Sequence, residues 1–583
     1  MELSSNQLKY LIRLKNGEKD SGCNYNSSDI NMLLKEKIVV NEKITKKGMK
    51  VLNGYKVDNA IILAAGMSTR FAPLSYEKPK GLTKVKGEVL IERQIRQLKD
   101  AGIEEIIIVL GHALEQFVYL KEKYNIKIVV NNEYKYKNTQ SSLFAARDFL
   151  KNTYILCADN YYPDGLFNLY ENHAYTSTQF MPGIEEGERG VVTNKEGLIV
   201  YTERPSNNKW VMNGYQYFDK KFSDKFKKIL EDYHERKEAD QFYWERIYAE
   251  HVSELNLYEK RFKEGEILEF DTLQDLERFD PDFLKNNNYE FIKNISKALG
   301  KSDIADNIKN IKTISKGLTN KTISFSYNDS KYVYRFPGKD LPEKIDREYE
   351  KKVQEKVKLI GIDDSYIYED EKKGWKISHY IEAKEKFDFK KEEHIELLCD
   401  TVRKLVSAKI KTDKRIDYID KSRKVLNKIK LIDTEKFEEL NKYFKEIVKI
   451  NKMNIEDNWP IQLCHNDIWE DNLIISNENK LFLIDWEYAE DNDIGYDISR
   501  IFVKTGCEVN EIDKYLKKYY MRKPTEIEKK HILGCVVVFY YYWYIWVNYM
   551  ILNEKNYDDY LKLYLNLFTK YYNEYKKIYK EVI

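Results

Sequence analysis

The chain of 583 residues is poor in cysteine and carries no excess of either charge, and both deficits narrow what it can be. Six cysteines, at positions 23, 157, 399, 464, 507 and 535, are scattered with no CxxC step and no Cys/His pair at metal spacing. The pattern argues against a disulfide frame or a zinc site and reads as the reduced thiols of a cytoplasmic protein. Lys+Arg 98 against Asp+Glu 96 leaves a net charge of +2, so no global field points to nucleic acid or a membrane surface. The first residues, MELSSNQLKYLIRLKNGEKD, are polar and charged and have no signal-peptide pattern. Long apolar runs are rare. The exception is Ile532 to Leu552, uncharged over 21 residues and long enough to span a bilayer. Its middle is Tyr and Trp, which prefer bilayer interfaces, so a buried core helix is expected and membrane insertion is not. With 33% charged and 42% hydrophobic residues the composition is that of a soluble globular protein, and the length predicts two to four domains.

The richest stretch of what is present runs from Leu463 to Glu487, LCHNDIWEDNLIISNENKLFLIDWE. A phosphoryl-transfer site needs one carboxylate to orient and deprotonate a hydroxyl, and an amide plus a second carboxylate to hold Mg²⁺ against nucleotide phosphates. Asp467 fits the first role; Asn472 and Asp485 fit the second. LFLID is a short strand whose last residue reaches the metal. HND-x₄-N followed by LIDWE resembles the choline/ethanolamine kinase family, relatives of the aminoglycoside phosphotransferases. The resemblance implies a two-lobed, protein-kinase-like domain acting on a small molecule. Upstream, ISKGLTNKTISFSYNDSKYVYRFPG reads as three strands with a turn at Asn328-Asp329. Gly317, Thr319 and Asn320 match a GLTN nucleotide loop, Arg335 the residue that holds α/β-phosphates, and Glu350 its helix partner. An ordinary surface ion pair is the alternative for Arg335 and Glu350. Glu487 is expected near substrate and Asp497 as a structural acid. Trp543 and Trp546, at i and i+3, match a W-x-x-W used for choline through cation–π attraction; a core stripe is the other reading.

From Asn59 short apolar runs (NAIILAAG, EEIIIVLG, IKIVVN, TYILCAD) alternate with helical stretches, which predicts a parallel α/β sheet with helices on both faces. After the first strand comes LAAGMSTRFAPLSYEKPKGL. Ala64, Ala65 and Gly66 allow backbone N–H groups close to a triphosphate, and Arg70 and Lys80 supply positive charge. The spacing is neither a Walker A loop nor a dinucleotide GxGxxG. The string resembles the sugar-nucleotide and phosphocholine cytidylyltransferases, LAAGxGSR…P…PK, with Ser68 in place of the second glycine. The resemblance implies a Rossmann-like nucleotidyltransferase using CTP, with Mg²⁺ on Asp159 and Asp271. Asn138 and Ser142 match nucleotide- or substrate-contacting positions, though a helix-capping role fits equally. Where the phosphocholine enzymes carry a Trp, Arg189 stands.

Residues 1–56 suggest a small separate unit. Leu8, Leu11 and Leu14, then Ile30, Leu33 and Leu34, have helical spacing, and ITKKGMKVL starts a last helix, in a pattern that resembles a winged helix. Its balanced charges favour a docking or regulatory module over DNA binding. Residues 57–285 are then the nucleotidyltransferase and 286–583 the kinase-like domain, with the Asn-rich stretch 281–300 as a solvated hinge. The expected class is mixed α/β and α+β, multidomain. The expected activity is phosphorylation of choline by ATP, then CMP transfer from CTP to phosphocholine. Another amino alcohol or a phosphonate as acceptor, and a nucleotide-sensing regulator, are the alternatives. Neither base specificity nor oligomeric state can be read from these strings.

Overall fold

The computed structural model describes residues 2–18, 27–181, 189–204, 208–315, 321–337, 345–553 and 557–579. The chain forms two compact units, residues 1–297 with 302–306, and residues 298–301 with 307–583.

The first unit opens with helices Ser5–Asn16 and Ser27–Lys35, a hairpin of Val39–Val40 and Lys43–Ile44, and helix Lys46–Asn53. Ser4 and Gln7 cap the first helix reciprocally, and the Thr45 hydroxyl accepts the Gly48 N–H of the last. Gly48 is obligatory for packing, because a Cβ there would stand 2.3 Å from the Ile38 carbonyl oxygen. Leu11, Leu33 and Leu52 are fully buried, whereas Leu34, expected on the apolar face, is exposed. These elements do not stand apart from the rest of the unit. Tyr170 joins their core, and Lys15 bonds its hydroxyl. A face of Leu and Tyr this small cannot close on itself, and it borrows the neighbouring surface.

The central sheet of this unit differs from the all-parallel expectation. Asn59–Ala64 pairs in parallel with Glu105–Leu110 and Thr153–Cys157, and Glu105–Leu110 pairs with Lys127–Val130. Beyond Thr153–Cys157 the long strand Lys209–Phe218 runs antiparallel, and Tyr175–Met181 pairs with it. The parallel half carries the continuous apolar runs of a sheet covered on both faces. The antiparallel half, YTSTQFM and KWVMNGYQYF, mixes polar and apolar residues without a period and gave no such signal. The supposed hinge is ordered and belongs here. Asn287 receives the Lys84 N–H and donates to the Lys84 carbonyl, and the Glu77 carboxylate accepts the N–H groups of Glu290 and Phe291. Helix Glu290–Leu299 buries Phe291, Ile292 and Ile295, so the first unit extends past residue 285.

The second unit begins with an antiparallel five-stranded sheet, ordered Lys309–Ser315, Lys321–Tyr327, Ser330–Phe336, Lys376–His379, Tyr366–Glu369. Helix Arg347–Leu359 lies against it, and a helical half begins at Glu392. The apolar run forms helix Glu526–Leu552, capped by a Thr525/Glu528 box. Long and apolar enough by composition to cross a membrane, it has 72% of its apolar window buried within the unit. Tyr418–Ile432, Phe444–Glu456, Gly495–Val503 and Asp558–Ile578 pack around it. The five described cysteines are unpaired.

Candidate active sites

A cleft of about 770 Å³ opens at the carboxyl ends of the parallel strands of the first unit, a size suited to a nucleotide. Ala64, Ala65, Gly66, Ser68, Arg70 and Lys80 line one side. Gly111 lets this wall form: a Cβ there would meet the Tyr134 ring at 2.8 Å and the Ala65 carbonyl at 2.9 Å. Ser68, standing for a glycine, takes a left-handed backbone with φ 51°. Asn138, Ser142 and Arg189 face the same cleft, with Asp159, Glu269 and Asp271 at its floor. Of its two expected roles the structure shows the cap: the Asn138 side chain accepts the Thr139 N–H at the start of helix Thr139–Ala145, while also lining the cleft. The Ser142 hydroxyl accepts from the Asn131 amide at 3.1 Å. Trp244 reaches the lining, while Trp210 packs between Phe180 and Arg261 and does not.

The floor is a charge cluster. Lys80 Nζ lies 2.9 Å from Asp159 and 3.0 Å from Asp271, and Arg70 lies 3.0 Å from the other oxygen of Asp271. Burial alone would depress the Lys80 ammonium, but its two carboxylate partners outweigh that and raise its pKa, so it is charged at any working pH. Asp159, Glu269 and Asp271 each offer an oxygen within 4.8 Å of the others. Hard oxygen donors already gathered around one cation fit Mg²⁺. Arg189 behaves oppositely: burial, then the nearby Arg246 and Arg204, lower its pKa.

In the second unit, the strand Ile461–Cys464 delivers His465, Asn466 and Asp467 to a tightly fixed loop. Asp497 accepts the N–H groups of His465 (2.6 Å) and Asn466 (2.9 Å), and burial pushes its carboxyl up to about 6. The His465 ring lies 2.9 Å from the Ile484 carbonyl through Nε2 and receives the Asp467 N–H at Nδ1. Burial lowers it to about 4, so it is a neutral spacer between loop and strand. Asn466, at φ 64°, donates to the carbonyls of Cys464, Tyr488 and Glu490. Asp467 is left facing the site, half-buried, its pKa raised to about 6 by burial and then by Asp485. The Asn472 amide donates to the Asp467 carbonyl (2.9 Å) and carboxylate (3.2 Å), which leaves its own oxygen for a cation. Asp485, at φ 67°, turns off its strand toward the same place.

Arg335 is not a surface ion. It grips both oxygens of Glu350 (2.7 and 3.0 Å) and also reaches Glu369 (3.0 Å) and Asp485 (3.2 Å), with 7% of its side chain exposed. Arg347 and Lys376 join on Glu350. Burial opposes the charged form of Glu350, but these three cations overcome it and hold the carboxyl below the usual range; burial and Glu350 push Glu369 up. Glu487, expected among substrate contacts, lies 3.2 Å from Arg347 in the same buried cluster. Gly317, Thr319 and Asn320 lie outside the described residues.

Trp543 and Trp546 form a half-buried stripe on an otherwise buried helix, rings 5.3 Å apart and nearly perpendicular. Tyr564 stacks on Trp543 at 5.9 Å and Tyr557 stands edge-on to Trp546 at 5.7 Å. The Asp467 carboxylate is among the charges acting on the Tyr564 hydroxyl, which sets these rings near the HND loop.

Residues 59–262 match the nucleotidyl transferase family and residues 311–534 the choline/ethanolamine kinase family. The chain is 34% identical over 238 residues to the choline-phosphate cytidylyltransferase of Streptococcus pneumoniae, covering 39% of this chain and 99% of that protein. This chain belongs to the nucleotidyl transferase family, of the phosphocholine cytidylyltransferase-like type, with a choline/ethanolamine kinase domain fused to it. A 2-aminoethylphosphonate cytidylyltransferase of Lancefieldella rimae is 33% identical over 38% of the chain and 92% of its own length. The solved choline kinase of Streptococcus pneumoniae is 20% identical, with a TM-score of 0.42, over 50% of this chain and 100% of its own. The chain is thus an enzyme with cytidylyltransferase and choline/ethanolamine kinase domains, working on nucleotide and small amino-alcohol substrates. Sequence reasoning missed several site residues. Glu269 was recoverable, since it shares a strand face with Asp271 two positions on. Glu369 and Lys376 sit in strands with no motif, and only the folded sheet brings them to Arg335.

Proposed function

We propose that the chain makes a CDP-activated amino alcohol in two steps, choline to phosphocholine with ATP and phosphocholine to CDP-choline with CTP. The observation that carries this is the presence, in one chain, of two sites whose reactions are consecutive. In the kinase domain, Asp467 orients the acceptor hydroxyl and takes its proton. The oxygen attacks the γ-phosphorus of ATP, the bond to the β-phosphate oxygen breaks, and ADP leaves. Asn472 and Asp485 would hold Mg²⁺, which neutralises phosphate charge, and the Glu350-clamped Arg335 supports the nucleotide. Trp543 and Trp546, with Tyr557 and Tyr564, receive the ammonium.

In the transferase domain a phosphocholine oxygen attacks the α-phosphorus of CTP and pyrophosphate leaves. Lys80 and Arg70 offset the developing charge, and Asp159, Glu269 and Asp271 would hold the second Mg²⁺. No covalent enzyme intermediate is needed. Residues 1–56 are, in this reading, a winged-helix-like docking module of a cytoplasmic enzyme. A second reading keeps both reactions and changes the acceptor to ethanolamine, a phosphonate or another amino alcohol. It is favoured by Arg189 in the cleft and by the similarity to a 2-aminoethylphosphonate enzyme.

Incubating the purified protein with ATP, CTP, Mg²⁺ and choline or ethanolamine, with products identified by mass spectrometry, tests this. CDP-choline is expected. Phosphocholine that is never cytidylylated would move the acceptor elsewhere, and no phosphorylation of either alcohol would remove the kinase assignment.

A further inference from the structure

The helix Gly495–Val503, which supports the HND loop through Asp497, also presents Arg500 and, one turn on, Lys504. Neither is conventionally neutralised. Arg500 is 2% exposed; one Nη donates to the Tyr540 hydroxyl at 2.6 Å and its guanidinium lies 3.6 Å over the Phe539 ring. Its other Nη is buried with no hydrogen-bond partner, and among the described residues no carboxylate is within ion-pair distance. The Lys504 ammonium sits 2.7 Å from the Trp469 ring centroid, and its one ion-pair partner among the described residues, Glu470, is at 3.8 Å, near the outer limit.

Buried cations without close counter-charges are costly, so two together call for an anion. Burial depresses Lys504 to about 7, the mark of a poorly compensated charge. Both cations draw the Asp467 pKa down against its burial, yet neither is hydrogen-bonded to it. Their neighbours lead to the aromatic cage: the Tyr540 ring lies 6.1 Å from Tyr564, which stacks on Trp543.

We propose that Arg500 and Lys504 form an oxyanion subsite at the acceptor end of the kinase site, and that it takes an acidic group carried by the hydroxylated amine itself. The natural acceptor is then zwitterionic, with its ammonium in the cage, its hydroxyl at Asp467 and its acid on the two cations. This rests on the proposed kinase activity and, within its second reading, replaces choline as the preferred acceptor by an acid-bearing amino alcohol, with choline itself a poorer substrate. The transferase cleft agrees, because the same product would bring its acid to Arg189, a second cation with no ion pair among the described residues.

Matched acceptors test this on the full-length protein: serine against ethanolamine, and carnitine against choline, each pair differing chiefly by a carboxylate. Phosphorylation by ATP should favour the acid-bearing member by at least ten-fold in kcat/KM. Lys504→Met should bring that ratio to about one, and Lys504→Glu should invert it. Should these variants fold poorly, serine but not ethanolamine should still quench Trp469-dependent fluorescence of the wild type. A wild-type preference for the acid-free member, unchanged in Lys504→Met, overturns the subsite while leaving the kinase intact. An equal loss of kcat on all four acceptors overturns it by assigning the cations to the transferred phosphoryl group of ATP. Phosphorylation of none of the four overturns the kinase reading and the subsite together.

Discussion

Lys80 is the residue on which the transferase cleft turns, because among the described residues it alone pairs with both Asp159 and Asp271. An ammonium fixed among carboxylates is pre-organised for developing phosphate charge, and losing such a donor costs roughly 10²–10³ in kcat. Lys80→Met should therefore lower CMP transfer by about that factor while ATP-dependent phosphorylation continues, as separate assays would show; unaltered CMP transfer would remove Lys80 from the chemistry. Lys504 gives a prediction for stability. Its folded pKa is depressed to about 7, whereas an unfolded lysine stays protonated to about 10.4. Between these values the unfolded chain binds the extra proton, so this group's contribution to stability rises with pH. The Tm of wild type relative to Lys504→Met should accordingly rise from pH 7 to pH 9, and a flat difference would contradict the buried environment. At this scale the sequence was readable where a motif is local. The HND loop and LIDWE lie within twenty-five residues of each other, and the structure joins them through the His465 ring, 2.9 Å from the Ile484 carbonyl. Arg500 and Lys504 escaped notice because a cation is conspicuous only when its missing partner is known, and that is a property of packing.

At the scale of elements, one helix both fills the core and carries a binding face. Glu526–Leu552 has no amphipathic pattern to read, since nearly every position is apolar, and only Trp543, Trp546 and Tyr549 remain half-buried in its middle stretch. The W-x-x-W spacing was legible, but its partners Tyr557 and Tyr564 come from the next helix and were not. A cation–π contact of roughly 0.5–2 kcal/mol corresponds to about a 2- to 30-fold change in binding. Trp543→Ala should raise KM for the amine by that order with KM for ATP little changed; equal changes in both would mark Trp543 as core alone. The final helix of residues 1–56 offers a packing test. Gly48→Ala forces a methyl onto the Ile38 carbonyl and should destabilise the protein by about 1–3 kcal/mol in a denaturant titration. The antiparallel strands of the first sheet were the least legible elements, because half-buried alternation is weak where Thr and Gln occupy inward positions such as Thr176 and Gln216.

For the whole molecule, each of the two compact units carries one of the two proposed sites, so the two steps should be separable by mutation and recoverable by mixing. The first unit runs past residue 285, where the sequence reading ended its second domain, since Glu77 and Asn287 anchor the junction helices through contacts remote in sequence. Asp159→Asn removes one carboxylate of the proposed Mg²⁺ site of the first cleft and should accumulate the phosphorylated amine without CDP product. Asp467→Asn removes the proposed proton acceptor of the second site, a role worth roughly 10²–10⁴ in rate, and should form neither product from the free amine. In the proposed reading each transfer is a direct displacement, so the phosphorylated amine is released as a free small molecule. A mixture of the two variants should therefore make CDP product after a lag, and added phosphorylated amine should rescue Asp467→Asn alone without one. A mixture that stays inactive, while each variant retains its own single activity, would mean that the intermediate does not pass through solution, and the two steps would have to be coupled within one chain.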